Sequence, residues 1–317
     1  MRRLAVKRLG FGALILWAVS VVVFLATQAL PGDAAHAILG REATPERLAA
    51  LRAQLHLGQP LPAQYLSWLR GIVTFDPGTS LANGLPVSAY LGPRIGNSLL
   101  LMLCAALVST PIALLLGTWS ALRRDRFVDH ATALGTLVLA ALPEFVVGIV
   151  LVIVFATGVF HALPAVFVAD GSAPVWADPA QLVLPTLTLV LAIGPYIVRM
   201  MRATMVEVLE SEYVQQARLK GLSERTVLLR HALPNALGPV VQVIALQLAW
   251  LAGGVVVVEF LFRYPGIGFA LVDAVNNRDL PVVQALSLLI AGVYIVVNLL
   301  ADLVSLATNA KVRTAAR

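Results

Sequence analysis

Residues 9–30 run for 22 positions without a charge, and Arg2, Arg3, Lys7 and Arg8 stand just before them. About 20 apolar residues in a helix match the roughly 30 Å hydrocarbon core of a bilayer. In lipid, every backbone amide must also be satisfied within the segment, so an isolated apolar run of this kind can only be helical. A secretory signal is the competing reading, because Ala-Leu-Pro-Gly-Asp-Ala-Ala closes the run. Signal apolar regions reach only about 15 residues, however, so the run is read as a retained first span.

Further runs follow at 98–122, 131–160, 182–204, 240–262 and 282–308, which makes six spans and an all-α integral membrane protein. The composition agrees. Of the 317 residues, 59% are hydrophobic and 13% charged, against roughly 45–50% and about 25% in soluble domains. The net charge of +6 is not a nucleic-acid footprint, because the basic residues flank apolar runs and are not interleaved with aromatics. The single cysteine, Cys104, lies inside an apolar run and is read as a small core residue. The span at 131–160 exceeds the length needed to cross, so it is expected to tilt and to kink at Pro143.

Residues 31–96 are mixed and rich in turn formers, and are expected to form a small extramembrane insert after the first span. The sequence predicts a helix over 44–57, with Thr44 as cap, Pro45 at its first position and Leu48, Leu51 and Leu55 on one face. A second helix is predicted over 64–73, with Tyr65, Leu66, Leu69 and Val73 apolar. Asp76-Pro-Gly and Asn83-Gly84 read as turns. His56 has no second ligand at helical spacing and is read as a solvated surface residue.

One long polar interruption divides the second half. Residues 212–234 read EYVQQARLKGLSERTVLLRHALP, with Arg218, Lys220, Arg225 and Arg230 charged. Val214, Ala217 and Leu222 fall on one face of a first helix. Gly221 then interrupts, Ser223 can cap a second short helix with Glu224 in its first turn, and Pro234 is expected to stop it. Such a helix, hinge and helix between two spans would make a lever for a soluble partner.

Ala217, then Gly221, then nine residues, then His231-Ala-Leu233-Pro234 resembles the cytoplasmic "EAA" loop of ABC importer permeases. That loop is commonly Glu-Ala-Ala, three residues, Gly, nine residues, Ile-x-Leu-Pro. Here Gln215 and Gln216 replace Glu and Ala, and His231 replaces Ile. The variants Tyr-Val-x-x-Ala-Arg-x-Lys-Gly-Leu-Ser and His-Ala-Leu look like the dipeptide/oligopeptide branch. So do Leu55-His-Leu-Gly-Gln-Pro-Leu-Pro-x-Gln-Tyr in the insert and the loop Glu259-Phe-Leu-Phe-Arg-Tyr-Pro-Gly-Ile-Gly, where the branch has a re-entrant turn before the last span. The resemblance covers nearly the whole chain.

It implies the type I ABC importer permease fold, with residues 1–96 as first helix plus extracytoplasmic insert and 97–308 as a five-helix core. Residues 205–239 would be the coupling loop and 309–317 a basic cytoplasmic tail. The implied partners are a second, homologous permease, two cytoplasmic ATPases carrying ATP and Mg, an extracytoplasmic solute-binding protein and the lipid bilayer, with no nucleic acid. Gln215, Gln216, Ala217, Gly221, Leu222, Ser223, Arg225, His231, Leu233 and Pro234 would meet the ATPase. The implied cargo is small peptides; nickel and glutathione permeases resemble this branch too, so the subunit alone does not name it.

Charge places the ends. With both termini cytoplasmic, sixteen of the 23 Lys and Arg fall inside and seven outside, five of the seven in the long insert. That puts the lever inside and the insert outside, in what the resemblance implies is a bacterial inner membrane.

No enzyme constellation is present: there is no G-x-x-x-x-G-K-[ST] to cradle phosphates, and no His/Cys cluster with metal spacing. Any ATPase belongs to another chain. Glu144, just after Pro143 and near the middle of the third run, is expensive at that depth, about 2.5–3.5 kcal/mol. It reads either as a polar lining of a translocation path or as a carboxyl bonded to carbonyls freed by the kink. Glu259 and Asp302 sit near span ends and are expected to reach the interface. An ion-coupled secondary transporter would need no lever and would show inverted-repeat hydropathy, which is not seen here. A membrane scaffold would need no conductive core.

Overall fold

Leu142 and Pro143 decide the path of the third apolar run. A residue before proline is pushed out of the α region, and Leu142 takes φ −90°, ψ 133° while Pro143 takes φ −58°, ψ 144°. Two consecutive extended residues separate α4 (Phe127–Ala141) from α5 (Glu144–Val152), and the helix directions on either side differ by 106°. The expected single span, tilted and kinked, is thus a sharply broken pair. α5 ends in a π-helical turn, Ile153–Gly158.

The computed structural model describes residues 2–28, 44–46, 49, 59–168 and 173–308. Its helices are α1 (Arg2–Gln28), α2 (Leu61–Val73), α3 (Val87–Leu122), α4, α5, α6 (Ala180–Leu209), α7 (Glu212–Leu219), α8 (Glu224–Thr226), α9 (Leu233–Leu261), α10 (Ile267–Asn276) and α11 (Leu280–Thr308). Strand pairing among the described residues is limited to one antiparallel bridge between Thr79 and Pro86. Five helical stretches are long and apolar enough to cross a membrane, or six if the bent pair counts as one broken span. The helix predicted over 44–57, with His56, lies almost wholly outside the described residues, as do Asp170 and Gly171 and the tail from 309. Asp302 lies among residues whose side chains are not described.

Two compact units are formed by Met1–Ser98 with Pro265–Ile295, and by Leu99–Tyr264 with Val296–Arg317. In the first, Val87 and Leu91 of α3 pack with Ile267, Ala270 and Ala274 of α10 and with Val282 and Leu286 of α11. Asp279 anchors a turn there. Its buried carboxylate accepts from Ser80 Oγ and, at 3.1 Å, from the amide of Leu81. Gly78 and Gly84 take the positive φ their turns require, +91° and +71°.

In the second unit, α6 is the central helix. Leu184, Leu189 and Ile193 pack with Val147 and Leu151 of α5 and with Leu251, Val255 and Val258 of α9. Pro185 and Pro195 sit inside α6 without breaking it. At Gly148 the neighbouring helix comes so close that a Cβ would lie 2.5 Å from Leu261 Cδ2. A second cluster, with Ala113, Met201, Met205, Ala232 and Ala236, lies toward the end of α6 that leads into α7.

Candidate functional site

The polar island folds as α7, a glycine joint and α8. At the end of α7 the amide of Gly221 donates to Arg218 O at 2.9 Å and that of Leu222 to Ala217 O at 3.4 Å. This pair of bonds needs a left-handed residue between them, and Gly221 supplies it at φ +77°. No atom lies within 4 Å of where its Cβ would be, so backbone conformation and not crowding requires the glycine within this chain. Ser223 Oγ then accepts from the amide of Thr226 at 3.4 Å, the cap read from the sequence. Arg218 grips Glu224 across the joint, with Nε to Oε1 at 2.9 Å and Nη2 to Oε2 at 3.3 Å. Both side chains are exposed, so the pair sets an angle more than it adds stability.

Val214 and Ala217 are buried against Val227 of the π-helical turn after α8 and against Val208 of α6. Leu222, expected on that face, is exposed instead. Gln215, Gln216, Ser223, Arg225 and Pro234 also face outward, and His231 and Leu233 are half-buried. Sequence reasoning passed over Tyr213, Leu219 and Leu229, apolar residues exposed on the same segment, with Leu219 at 87%. An isolated leucine beside a hinge glycine is their only sequence signal.

Pro234 does not stop the second helix. From Glu224 the chain passes through a π-helical turn, Val227–Ala232, straight into α9, giving one helical stretch to Leu261. A proline in a helix removes one amide and crowds the preceding turn. The wider π turn makes room, and Asn235 Nδ2 donates to His231 O at 2.7 Å, satisfying a carbonyl at that turn. α8 is therefore welded to the span behind it.

Beside this lies a clamp that no sequence pattern announced. Asp129, at the start of α4, is 2% exposed and receives Arg202 Nη2 at 2.6 Å, Ser120 Oγ at 2.6 Å and the amide of Asp125 at 3.0 Å. Arg202 Nε bonds its other oxygen. Arg124 pairs with Glu210 at the end of α6, one residue before Ser211 and α7. The α3–α4 turn is thus held to the helix that carries the lever.

Glu144 stands at the bend in the middle of this broken pair, in the first turn of α5, partly exposed. Among the described residues its side chain makes no hydrogen bond or ion pair, and the carbonyl of Pro143 is taken by the amides of Val146 at 3.0 Å and Val147 at 3.3 Å. Glu259, expected to reach the interface, does not: its side chain is fully buried. Its carbonyl accepts from the amide of Tyr264 at 2.8 Å, and Tyr264 meets Phe167 edge-on at 5.6 Å. Burial first, and the nearby Glu259 carboxyl second, push the Tyr264 hydroxyl above its ordinary range.

Residues 113–314 match the family profile described as binding-protein-dependent transport system inner membrane component, and residues 1–87 match its N-terminal companion. The chain belongs to this family. It is 35% identical over 310 residues to a "Probable peptide ABC transporter permease protein" of Sinorhizobium fredii, covering 97% of this chain and 98% of that one. It is 36% identical over 313 residues, 99% of each, to a glutathione transport system permease protein of Escherichia coli O6:H1. A glutathione permease of Pectobacterium atrosepticum is 37% identical over 297 residues, 93% of this chain and 94% of its own.

The permease is accordingly an all-α, multi-pass inner-membrane component of a binding-protein-dependent ABC transport system, with the type I fold. It is not itself an ATPase: hydrolysis belongs to partner subunits, and a solute-binding protein serves the same system.

Proposed function

We propose that this permease pairs with a second, homologous permease to form the membrane path for small peptides, glutathione-like tripeptides among them. The observation that supports the cargo is the relation to peptide and glutathione permeases over nearly the full length of each chain. The same machinery carrying another small solute such as nickel is the alternative. Two cytoplasmic ATPases, holding ATP and Mg, dock on residues 212–234, where Gln215, Gln216, Leu219, Leu222 and Arg225 are exposed and where α8 runs on into α9 without a break. Both termini and this segment are cytoplasmic, and the insert is extracytoplasmic. Glu144 lines the path at the bend of the third span.

Three measurements test the reading. Tagged permease copurifies with a second permease and two ATPases. Proteoliposomes of that complex, given ATP and the solute-binding protein of the same system, take up labelled dipeptide or glutathione. A cysteine at Lys220 is labelled from the cytoplasm and one at Ser67 by an impermeant reagent from outside. Uptake by the isolated chain without ATPase would overturn the mechanism, and reversed labelling would overturn the orientation.

A further inference from the structure

α2 carries large apolar side chains on its outer side as well as on the side that meets the protein. Gln64, Ser67, Trp68 and Gly71 recur at three- and four-residue spacing and line a cavity of about 280 Å³, together with Gln28, Asp76 and Gln284. Gln64 is buried, its amide donating to Gln59 O at 2.8 Å and its carbonyl accepting from Gln28 Nε2 at 3.0 Å. The opposite side carries Leu66 and Val73, 63% and 69% exposed, with Leu69 between them partly covered. The sequence treated Tyr65, Leu66, Leu69 and Val73 as one apolar set; the structure splits it, turning Tyr65 inward and Leu66 and Val73 out. A helix in water covers its large apolar side chains, yet α2 leaves Leu61, Leu66 and Val73 exposed beside Arg70 although Tyr65, Trp68 and Ile72 already serve its protein side.

The helix end repeats the pattern. The amide of Asp76 donates to Gly71 O at 2.9 Å and that of Phe75 to Ile72 O at 3.2 Å. This cap ordinarily places glycine in the left-handed position. Here Phe75 occupies it, at φ +59°, with its ring 88% exposed. The cap is tight enough to need Gly71, whose Cβ would meet Asp76 O at 2.6 Å. A bulky residue held in a strained conformation, with its ring projected away from the protein, suits an apolar medium outside it.

Depth comes from α1. Tyr65 Oη lies 2.8 Å from Ser20 Oγ, and Phe24 meets the rings of Tyr65 at 5.4 Å and Trp68 at 5.8 Å. Ser20 precedes the end of α1 at Gln28 by eight residues, about 12 Å along the axis. α2 therefore lies against the last two turns of a membrane-crossing helix, where the outward residues of α1 are Val22 and Leu25. Leu66, next in sequence to the Tyr65 that bonds Ser20, is thereby held at the depth of these turns, and Arg70 nearby is long enough to snorkel.

We propose that α2 is an interfacial helix seated in the bilayer, with Leu66, Val73 and Phe75 in the acyl–headgroup boundary. Its occupant is lipid, not a protein partner. The leaflet is the extracytoplasmic one in the orientation proposed above, on which only that detail rests.

The test places nitroxide labels on single cysteines at Leu66, Val73 and Ser67 in a Cys104→Ser background. The full chain is reconstituted with its partner subunits in vesicles of phosphatidylethanolamine and phosphatidylglycerol. Labels at 66 and 73 are expected to collide with oxygen over a water-soluble nickel chelate in a ratio several-fold higher than at 67. Equal ratios at all three would overturn the proposal. So would protection at 66 and 73 that appears only when solute-binding protein is added. Phe75→Gly removes the strain, so it folds, yet is expected to shift the label at 66 toward water; an unmoved label would remove Phe75 from the anchor. Impermeant maleimide on the cysteine at 67 reports the side separately, so a wrong orientation leaves the depth result standing.

Discussion

Asp129 Oδ2 stands 2.6 Å from Nη2 of Arg202, joining the first turn of α4 to the lever end of α6 across 73 residues of sequence. Removing one member of a buried pair leaves the other uncompensated, which costs about 3–5 kcal/mol when burial is complete. Arg202 is about a third exposed, at 32%, so water recovers part of the loss. Asp129→Ala is expected to cost roughly 1–3 kcal/mol, seen as a lowered unfolding temperature of the detergent-solubilised complex. In a double-mutant cycle with Arg202→Ala the two losses should fall well short of additive. Additive losses would mean the pair contributes nothing.

Gly221 allows strain and contact to be separated. Valine at φ +77° is unfavourable by about 1–2 kcal/mol and should misset the angle between α7 and α8. Gly221→Val is therefore expected to reduce ATPase stimulation by loaded binding protein while the permease still inserts. Aspartate tolerates the left-handed region and meets nothing within 4 Å in this chain. If Gly221→Asp nonetheless abolishes ATPase recruitment, a partner surface lies against the joint. Normal uptake in both variants would remove the lever from the mechanism.

Pro143→Ala frees Leu142 to become helical. Labels at Leu134 and Val150 report the 106° bend as a distance by pulsed spin resonance. That distance should lengthen or broaden in the variant, with uptake reduced. A distance identical to the parent protein would show that packing of α5 on α6 and α9 holds the bend without the proline.

Glu144→Gln removes a charge from the first turn of α5 and disturbs no hydrogen bond there. Uptake in proteoliposomes is expected to change while assembly with the second permease and the ATPases stays normal. Unchanged uptake would strike Glu144 from the path.

Local chemistry made much of this protein legible. Apolar length specified the spans, because a bilayer sets a minimum that residues 9–30 or 282–308 meet without help from neighbours. The Schellman cap at Gly221 and the cap at Ser223 are bonds within six residues, so they were readable from residue type alone. The family followed from the spacing Ala217, Gly221 and His231-Ala-Leu-Pro. What the sequence misjudged depends on neighbours far along the chain. Pro234 stops an isolated helix, yet a π turn and Asn235 let this one continue. Glu259, near the end of an apolar run, has no local reason to be buried; the packing of α9 in the core buries it. Leu66 and Tyr65 look alike by hydropathy, and only the seating of α2 on Ser20 and Phe24 decides which of them turns inward. Periodicity says that a helix has an apolar stripe. Whether protein or lipid receives that stripe is settled by where the helix is docked.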